Sequence, residues 1–236
     1  MKKIKNILRK IFLFESNEVE RRKWVEKQLN FISAGKKILD AGCGTQQYKT
    51  YCKHLKYHAQ DFAKYDGKGD GQGLQKNNWK YGELNYIGDI WKIDEKDNFF
   101  DVILCTEVIE HILYPNETIK EFSRLLKPNG TLILTAPVCS IPHFSPYYYY
   151  NGFSEYYYKE MARLNSFEIV SIKSNGDAFE YIGGEIFRSI SALKNPYRIV
   201  FRFISIGYIL LLKILSKVSV KHNYLHSGHH VVMKKI

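Results

Sequence analysis

The stretch Ile38-Leu39-Asp40-Ala41-Gly42-Cys43-Gly44-Thr45 reads as a buried strand that runs into a glycine turn and opens toward a helix. Glycines at 42 and 44 tolerate backbone angles closed to other residues and let the main chain approach a ligand closely. A helix starting there would offer free amides as donors. A lone Gly-x-Gly carries little weight, so the sequel matters. A second strand, Tyr57-His58-Ala59-Gln60-Asp61, ends in an acid. A third segment holds Gly88-Asp89-Ile90, and a fourth strand runs Asp101-Val102-Ile103-Leu104-Cys105-Thr106-Glu107. Chain ends that bring Asp61, Asp89, Thr106 and Glu107 to one edge of a sheet describe a nucleotide-binding corner.

A dinucleotide fingerprint needs a third glycine three residues after the second, and that position is Gln47. Asp40, just before the turn, would repel a phosphate and suit a cationic ligand. Strands alternate with helices through the middle of the chain, which predicts an α/β fold with a parallel sheet covered on both faces. Asn116–Leu126 carries Ile119, Phe122, Leu125 and Leu126 at helical spacing, and Lys127-Pro128-Asn129-Gly130 supplies the stop signal. Thr131–Pro137 is then a fifth strand, Phe167–Ile172 a sixth, and His229–Lys234 the closing one.

This succession resembles the class I S-adenosylmethionine-dependent methyltransferases, from Lys36 to Gly176 and again at the last strand. The resemblance implies a Rossmann-like, seven-stranded, mostly parallel sheet with an antiparallel last strand and a helical insertion between strands six and seven. It implies S-adenosylmethionine as cofactor, and it carries over residue by residue. Gly42 and Gly44 would form the turn under the methionine part, with Asp40 meeting its ammonium group, often through water. Asp61 would accept from the ribose hydroxyls, Asp89 would face the adenine amino group, and Ile90 would pack on the ring. Thr106 and Glu107 lie where the sulfonium and the acceptor should meet. The family's usual third glycine is Gln46 here, which leaves the loop geometry open. The implied division is an N-terminal basic helical segment (1–30), a methyltransferase core (31–176), an insertion (177–224) and a closing strand (225–236).

The 236 residues are 45% hydrophobic and 25% charged, an ordinary balance for a folded protein with a sizeable core. Cys43, Cys52, Cys105 and Cys139 show neither Cys-x-x-Cys pairing nor metal-ligand spacing, so a reducing cytoplasm and no metal site are expected. Cys43 and Cys105 read as small buried apolar residues, and Asp101 as a strand-start residue. His226, His229 and His230 read as a solvated hairpin beside a glycine turn.

Charge is concentrated at the ends. Residues 1–30 carry nine Lys/Arg against four acids, residues 186–236 carry nine against none, and the remainder is net negative although the whole chain is +11. Both ends are amphipathic. Ile4, Ile7, Leu8, Ile11 and Phe12 follow helical spacing among lysines, without the uninterrupted apolar run of about seven or more residues a secretory signal needs. In Tyr197–Val220, Arg198, Arg202, Lys213 and Lys217 lie opposite Phe201, Ile204, Tyr208, Leu211 and Leu215, and the uncharged stretch Phe203–Leu212 is about half of the roughly 20 residues a spanning helix requires. Such helices suit an anionic membrane surface, here the inner face, or packing within a homodimer. Nucleic acid fits less well, because the basic residues sit beside aliphatic faces instead of stacking aromatics.

The loop Cys139–Pro146 and the tyrosines at 147–150 and 156–158 border the expected acceptor pocket, where rings and hydroxyls could hold a small molecule, a glycan or a lipid-linked glycan. Equally, the tyrosines could cover the core. For a hydroxyl acceptor, His111 and His143 are the candidate general bases. The expected activity is O-methylation of such an acceptor. The alternatives are methylation of a quinone-like lipid, or a non-catalytic cofactor-binding subunit at the membrane.

Overall fold

A computed structural model describes residues 17–76, 78–191, 193–218 and 225–236. The amphipathic stretch Ile4–Phe12 lies outside the described residues. Helix α1 (Asn17–Asn30) precedes strand β1 (Lys37–Ala41), followed by β2 (Lys56–Asp61), β3 (Tyr86–Ile87) and β4 (Phe100–Thr106). After them come α2 (Pro115–Leu125), β5 (Leu126–Pro137), α3 (Glu155–Leu164), β6 (Phe167–Asn175), α4 (Ala178–Ser191), α5 (Tyr197–Val218) and β7 (Gly228–Lys235). The strands form one seven-stranded sheet in the order β3-β2-β1-β4-β5-β7-β6. β1 through β5 pair in parallel, and β7 runs antiparallel to β5. The order reverses between β1 and β4, so the carboxyl ends of these two strands form the crevice where α/β sheets take ligands.

Alternation within the strands builds two cores. Leu39, Ile103, Leu132 and Leu134 face one way and pack with Ile119, Phe122 and Leu125 of α2 and Tyr158 of α3. Ile38, Val102, Leu104 and Ile133 face the other way and meet Val25 and Leu29 of α1. Burying each such side chain contributes about 1.5–3 kcal/mol, so the apolar strand run itself explains why both faces are covered. Asp101, at the start of β4, accepts from the Lys37 amide and from the ammonium groups of Lys36 and Lys127, the strand-start role expected of it. Cys43 and Cys105 are buried, as their reading as apolar residues requires.

Three local expectations need correction. No α-helix opens from the glycine turn: only a 3-10 turn, Lys49–Cys52, follows it, and the helix covering that face comes from before β1. β5 begins at Leu126, not Thr131; Leu126 pairs with Phe100, pairing resumes at Thr131 opposite Val102, and Asn129 (φ 65°) turns the backbone between them. His226, His229 and His230 are not solvated. All three are buried; His229 and His230 are so because β7 lies inside the sheet between β5 and β6, with His230 stacked on Trp24 at 4.6 Å and His229 edge-on to Tyr158 at 5.6 Å.

The chain separates into two compact units, one of Lys23–Lys173 with Gly228–Ile236, the other built on Ser174–Ser227 with the described residues before Lys23. In the second unit α4 and α5 pack together, Arg202 lies 5.3 Å from the ring centre of Phe187, and Ser216 donates to Asp177 at 2.5 Å. Most of the apolar face of α5 remains exposed, including Phe201, Phe203, Ile204, Tyr208, Leu211 and Ile214.

Candidate cofactor-binding site

The glycine turn sits at the carboxyl end of β1. Gly42 has φ 70°, and a Cβ there would come 2.5 Å from a Val108 methyl on the β4 side of the crevice. Gly44 has φ 51°, and a Cβ there would meet the Trp79 ring at 2.7 Å. Only glycine allows both the backbone sign and the approach. The Gly42 amide donates to the Gln60 carbonyl and side chain, and the Gly44 amide donates to Asp61 at 2.9 Å. Gln46, where the third glycine would fall, itself adopts φ 58°, and its side chain reaches across to the Glu83 carbonyl at 2.6 Å.

Asp61 lies at the mouth of the crevice, almost wholly buried. Its two oxygens accept from the Gly44 and Ala63 amides, yet each keeps lone pairs for further donors. Burial raises its pKa, and these backbone hydrogen bonds oppose the shift. Asp40 is placed differently from its expected role. It is 2% exposed and accepts from the Tyr57 hydroxyl at 2.6 Å, so it reaches no ligand directly; burial pushes its pKa up to about 7. Ile90 needs the clearest correction, since it belongs to the apolar core with Leu39 and Phe122 and presents no face to an adenine ring. β3 stops at Ile87, so the chain has already turned inward by residue 90. Asp89 stays exposed beside that strand end.

Thr106 closes β4 opposite Thr135 of β5, and Glu107 (φ 53°) turns the chain away. The Glu107 carboxylate accepts from the Thr135 hydroxyl at 3.0 Å. Beyond it, the 3-10 turn Ile109–His111 brings Glu110 and His111 against His143 from the loop after β5. His111 Nδ1 lies 2.6 Å from the Tyr147 carbonyl; burial, followed by the neighbouring His143, pushes its pKa down to about 3.

Two elements went unread in the sequence. The segment between β2 and β3 folds back over the glycine turn and joins the loop after β5: Leu74 donates to Pro142, Phe144 donates to Leu74, and Trp79 packs edge-on to Phe144 at 5.3 Å. Its glycines at 67, 69 and 73 permit this close approach and were the available signal. Beside α2, a cleft of about 510 Å³ is bordered by Tyr114, Asn116, Tyr150, Phe153, Ser154 and Tyr157. Tyr157 borders this cleft, whereas Tyr158 is a core residue and Tyr156 is exposed.

Residues 14–171 match the family model described as a methyltransferase domain, which covers more than half of the chain. The chain belongs to this methyltransferase-domain family. A ubiquinone biosynthesis O-methyltransferase of Coxiella burnetii is 30% identical over 118 residues, 49% of this chain and 48% of the relative. Its mitochondrial namesake from Schizosaccharomyces pombe is 29% identical over 132 residues, 54% and 47% of the two chains. This methyltransferase-family chain therefore spans about half the length of the curated relatives it matches. Among solved structures, the [4+2]-cyclase SpnF superimposes with TM-score 0.55 at 14% identity, covering 95% of this chain and 86% of that one. Phosphoethanolamine N-methyltransferase 2 of Haemonchus contortus, in complex with S-adenosyl-L-methionine, gives 0.54 at 17%, covering 91% and 52%. These likenesses concern the fold.

Proposed function

We propose that the chain transfers a methyl group from S-adenosylmethionine to a hydroxyl of a small acceptor. The observation that carries this reading is the glycine turn at the β1/β4 switch point, with the Asp61 carboxylate beside Gly44. The cofactor would supply an electrophilic methyl on a sulfonium, a group whose transfer depends above all on in-line alignment. Gly42 and Gly44 let the backbone approach it, and Asp61 accepts from vicinal ribose hydroxyls with its remaining lone pairs. Exposed Asp89 suits an exocyclic amino group. Asp40, one layer deeper, favours a cation through an intervening water or through the field alone. Thr106 and Glu107 border the meeting point of donor and acceptor. As the O–C bond forms and the S–C bond of the sulfonium breaks, the hydroxyl proton passes to water on this reading, because His111 and His143 hold their Nε2 atoms 3.8 and 4.0 Å from the Glu110 carboxylate.

Relatives named for O-methylation in ubiquinone biosynthesis support an oxygen acceptor and favour a quinone-like lipid over a glycan. Helix α5 supports the same choice. Tyr197–Val218 is, among the described residues, the one helix long and apolar enough to cross a membrane, an 18-residue window within it having mean hydropathy 2.0. Arg198, Arg202, Lys213 and Lys217 interrupt it, and on this reading it lies in the interface on the cytoplasmic face, bringing the enzyme to its acceptor. The test is transfer of labelled methyl from S-adenosylmethionine to phenolic quinone precursors and, separately, to a lipid extract and a glycan extract. Label in the phenolic or lipid fraction is expected. Label confined to the glycan fraction would overturn the lipid reading, and none in any fraction would favour a non-catalytic subunit.

A further inference from the structure

We infer that Glu110, His111 and His143 form a binding site for a divalent first-row transition cation of the zinc type. The carboxylate oxygen and the two imidazole nitrogens that could ligate all lie within 4.8 Å of one another. Glu110 is fully buried, and Oε1 stands 3.8 Å from His111 Nε2 and 4.0 Å from His143 Nε2.

Hydrogen bonding decides which ring atoms face inward. His111 Nδ1 is 2.6 Å from the Tyr147 carbonyl, and His143 Nδ1 is 2.9 Å from the Ile141 carbonyl. A carbonyl only accepts, so each Nδ1 carries the proton and donates. With its proton on Nδ1, each ring offers Nε2 as the atom that could ligate, and a cation placed between the two Nε2 atoms and the Glu110 carboxylate would join all three groups. Backbone carbonyls that hold the far nitrogen of each ligating histidine are the usual outer shell of such sites. Two imidazoles and a carboxylate are also the donor set that zinc and related ions take, leaving one or more positions open.

With bonds of about 2.0–2.1 Å, tetrahedral geometry would draw neighbouring donors to within about 3.4 Å of each other. From separations between 3.8 and 4.8 Å, the pairs would close by about 0.4 to 1.4 Å. His143 sits on the loop that carries Phe144 and meets Leu74, while Glu110 and His111 sit on the turn after β4. A bound ion would therefore clip the cover over the glycine turn to the strand beneath it. The expectation of no metal rested on the spacing of the cysteines and of His226, His229 and His230; His111 and His143 lie 32 positions apart, so no local spacing announces this site.

The site stands independently of the proposed methyl transfer, and the experiment keeps them apart. The full chain, stripped with a chelator, is titrated with Zn²⁺ by calorimetry, and in parallel with S-adenosylhomocysteine. One equivalent of Zn²⁺ is expected, with affinity falling about 100-fold or more in His143→Ala and in His111→Ala. Nitrogen-15 spectra of the histidine-labelled wild type need no variant: Zn²⁺ should shift the Nε2 resonances of His111 and His143 together at one equivalent. A wild type that binds less than one equivalent at saturating Zn²⁺, binding that His143→Ala leaves intact, or Nε2 shifts confined to other histidines would overturn the site. Zn²⁺ binding without S-adenosylhomocysteine binding would leave the metal site standing and count against the cofactor reading alone.

Discussion

The glycine turn and helix α5 deal with their chemistry in opposite ways. Around the turn, the Gly42 and Gly44 amides, Gln46, Gln60, Asp40 and Asp61 close on partners within the same unit, so buried polar groups are satisfied before any ligand arrives. On α5, Phe203, Ile204, Tyr208, Leu211 and Ile214 stay in contact with solvent. The difference teaches that the first region satisfies its polar groups within its own unit, whereas the second leaves apolar side chains in contact with solvent.

Changes at the turn should have the largest effect. Gly42→Val places side-chain atoms where Val108 already stands and demands φ 70° from a β-branched residue. S-adenosylhomocysteine affinity should fall by two orders of magnitude or more, with a lowered melting temperature. Unchanged affinity would show that the turn does not approach the ligand. Asp61→Asn keeps the shape but turns one of the two accepting oxygens into an NH2 donor facing the Gly44 or the Ala63 amide, so it should weaken binding about 10- to 100-fold and lower the melting temperature; spectroscopy and calorimetry on the same sample separate the two.

Asp40 gives the pH-dependent prediction. Its pKa rises from 3.8 to about 7 on folding, chiefly through burial, so between these values the native state holds a proton the unfolded chain has lost. Its stabilising contribution is full below pH 4 and is lost as pH rises toward 7, by on the order of a few kcal/mol. Asp40→Asn should remove this slope, and the difference between the two denaturation profiles should grow from pH 4 to 7. Parallel profiles would place the Asp40 titration elsewhere.

On α5 the effect is smallest per residue. Replacing Arg198, Arg202, Lys213 and Lys217 one at a time by Gln should weaken sedimentation with phosphatidylglycerol vesicles by about 1 kcal/mol each at low salt, and less as salt screens the charges. Cofactor affinity should not change. Wild type that ignores vesicles and forms a dimer split by Leu211→Asp would assign the face to a second copy.

What the sequence disclosed follows the same division. Periodicity is local, so β1, β2, β4, the body of α2 and the start of α5 at Tyr197 were legible from apolar spacing and from Gly and Pro. Burial imposed by topology is not local. The β7 histidines looked solvated because nothing near them in the chain announces that β5 and β6 flank the strand. Ile90 lies in the apolar core three residues past the end of β3, a burial that nothing near it in the chain announces. Trp79 over Gly44 and His143 against Glu110 join segments tens of residues apart, and only the folded chain brings them together.

The central claim is that the turn at Gly42–Gly44, with Asp61, holds S-adenosylmethionine. Calorimetric titration of the wild-type chain with S-adenosylhomocysteine, with NAD as the competing nucleotide, tests it most directly. One S-adenosylhomocysteine site per chain, lost in Gly42→Val and weakened in Asp61→Asn, is the predicted result; a chain that binds NAD and ignores S-adenosylhomocysteine would contradict it.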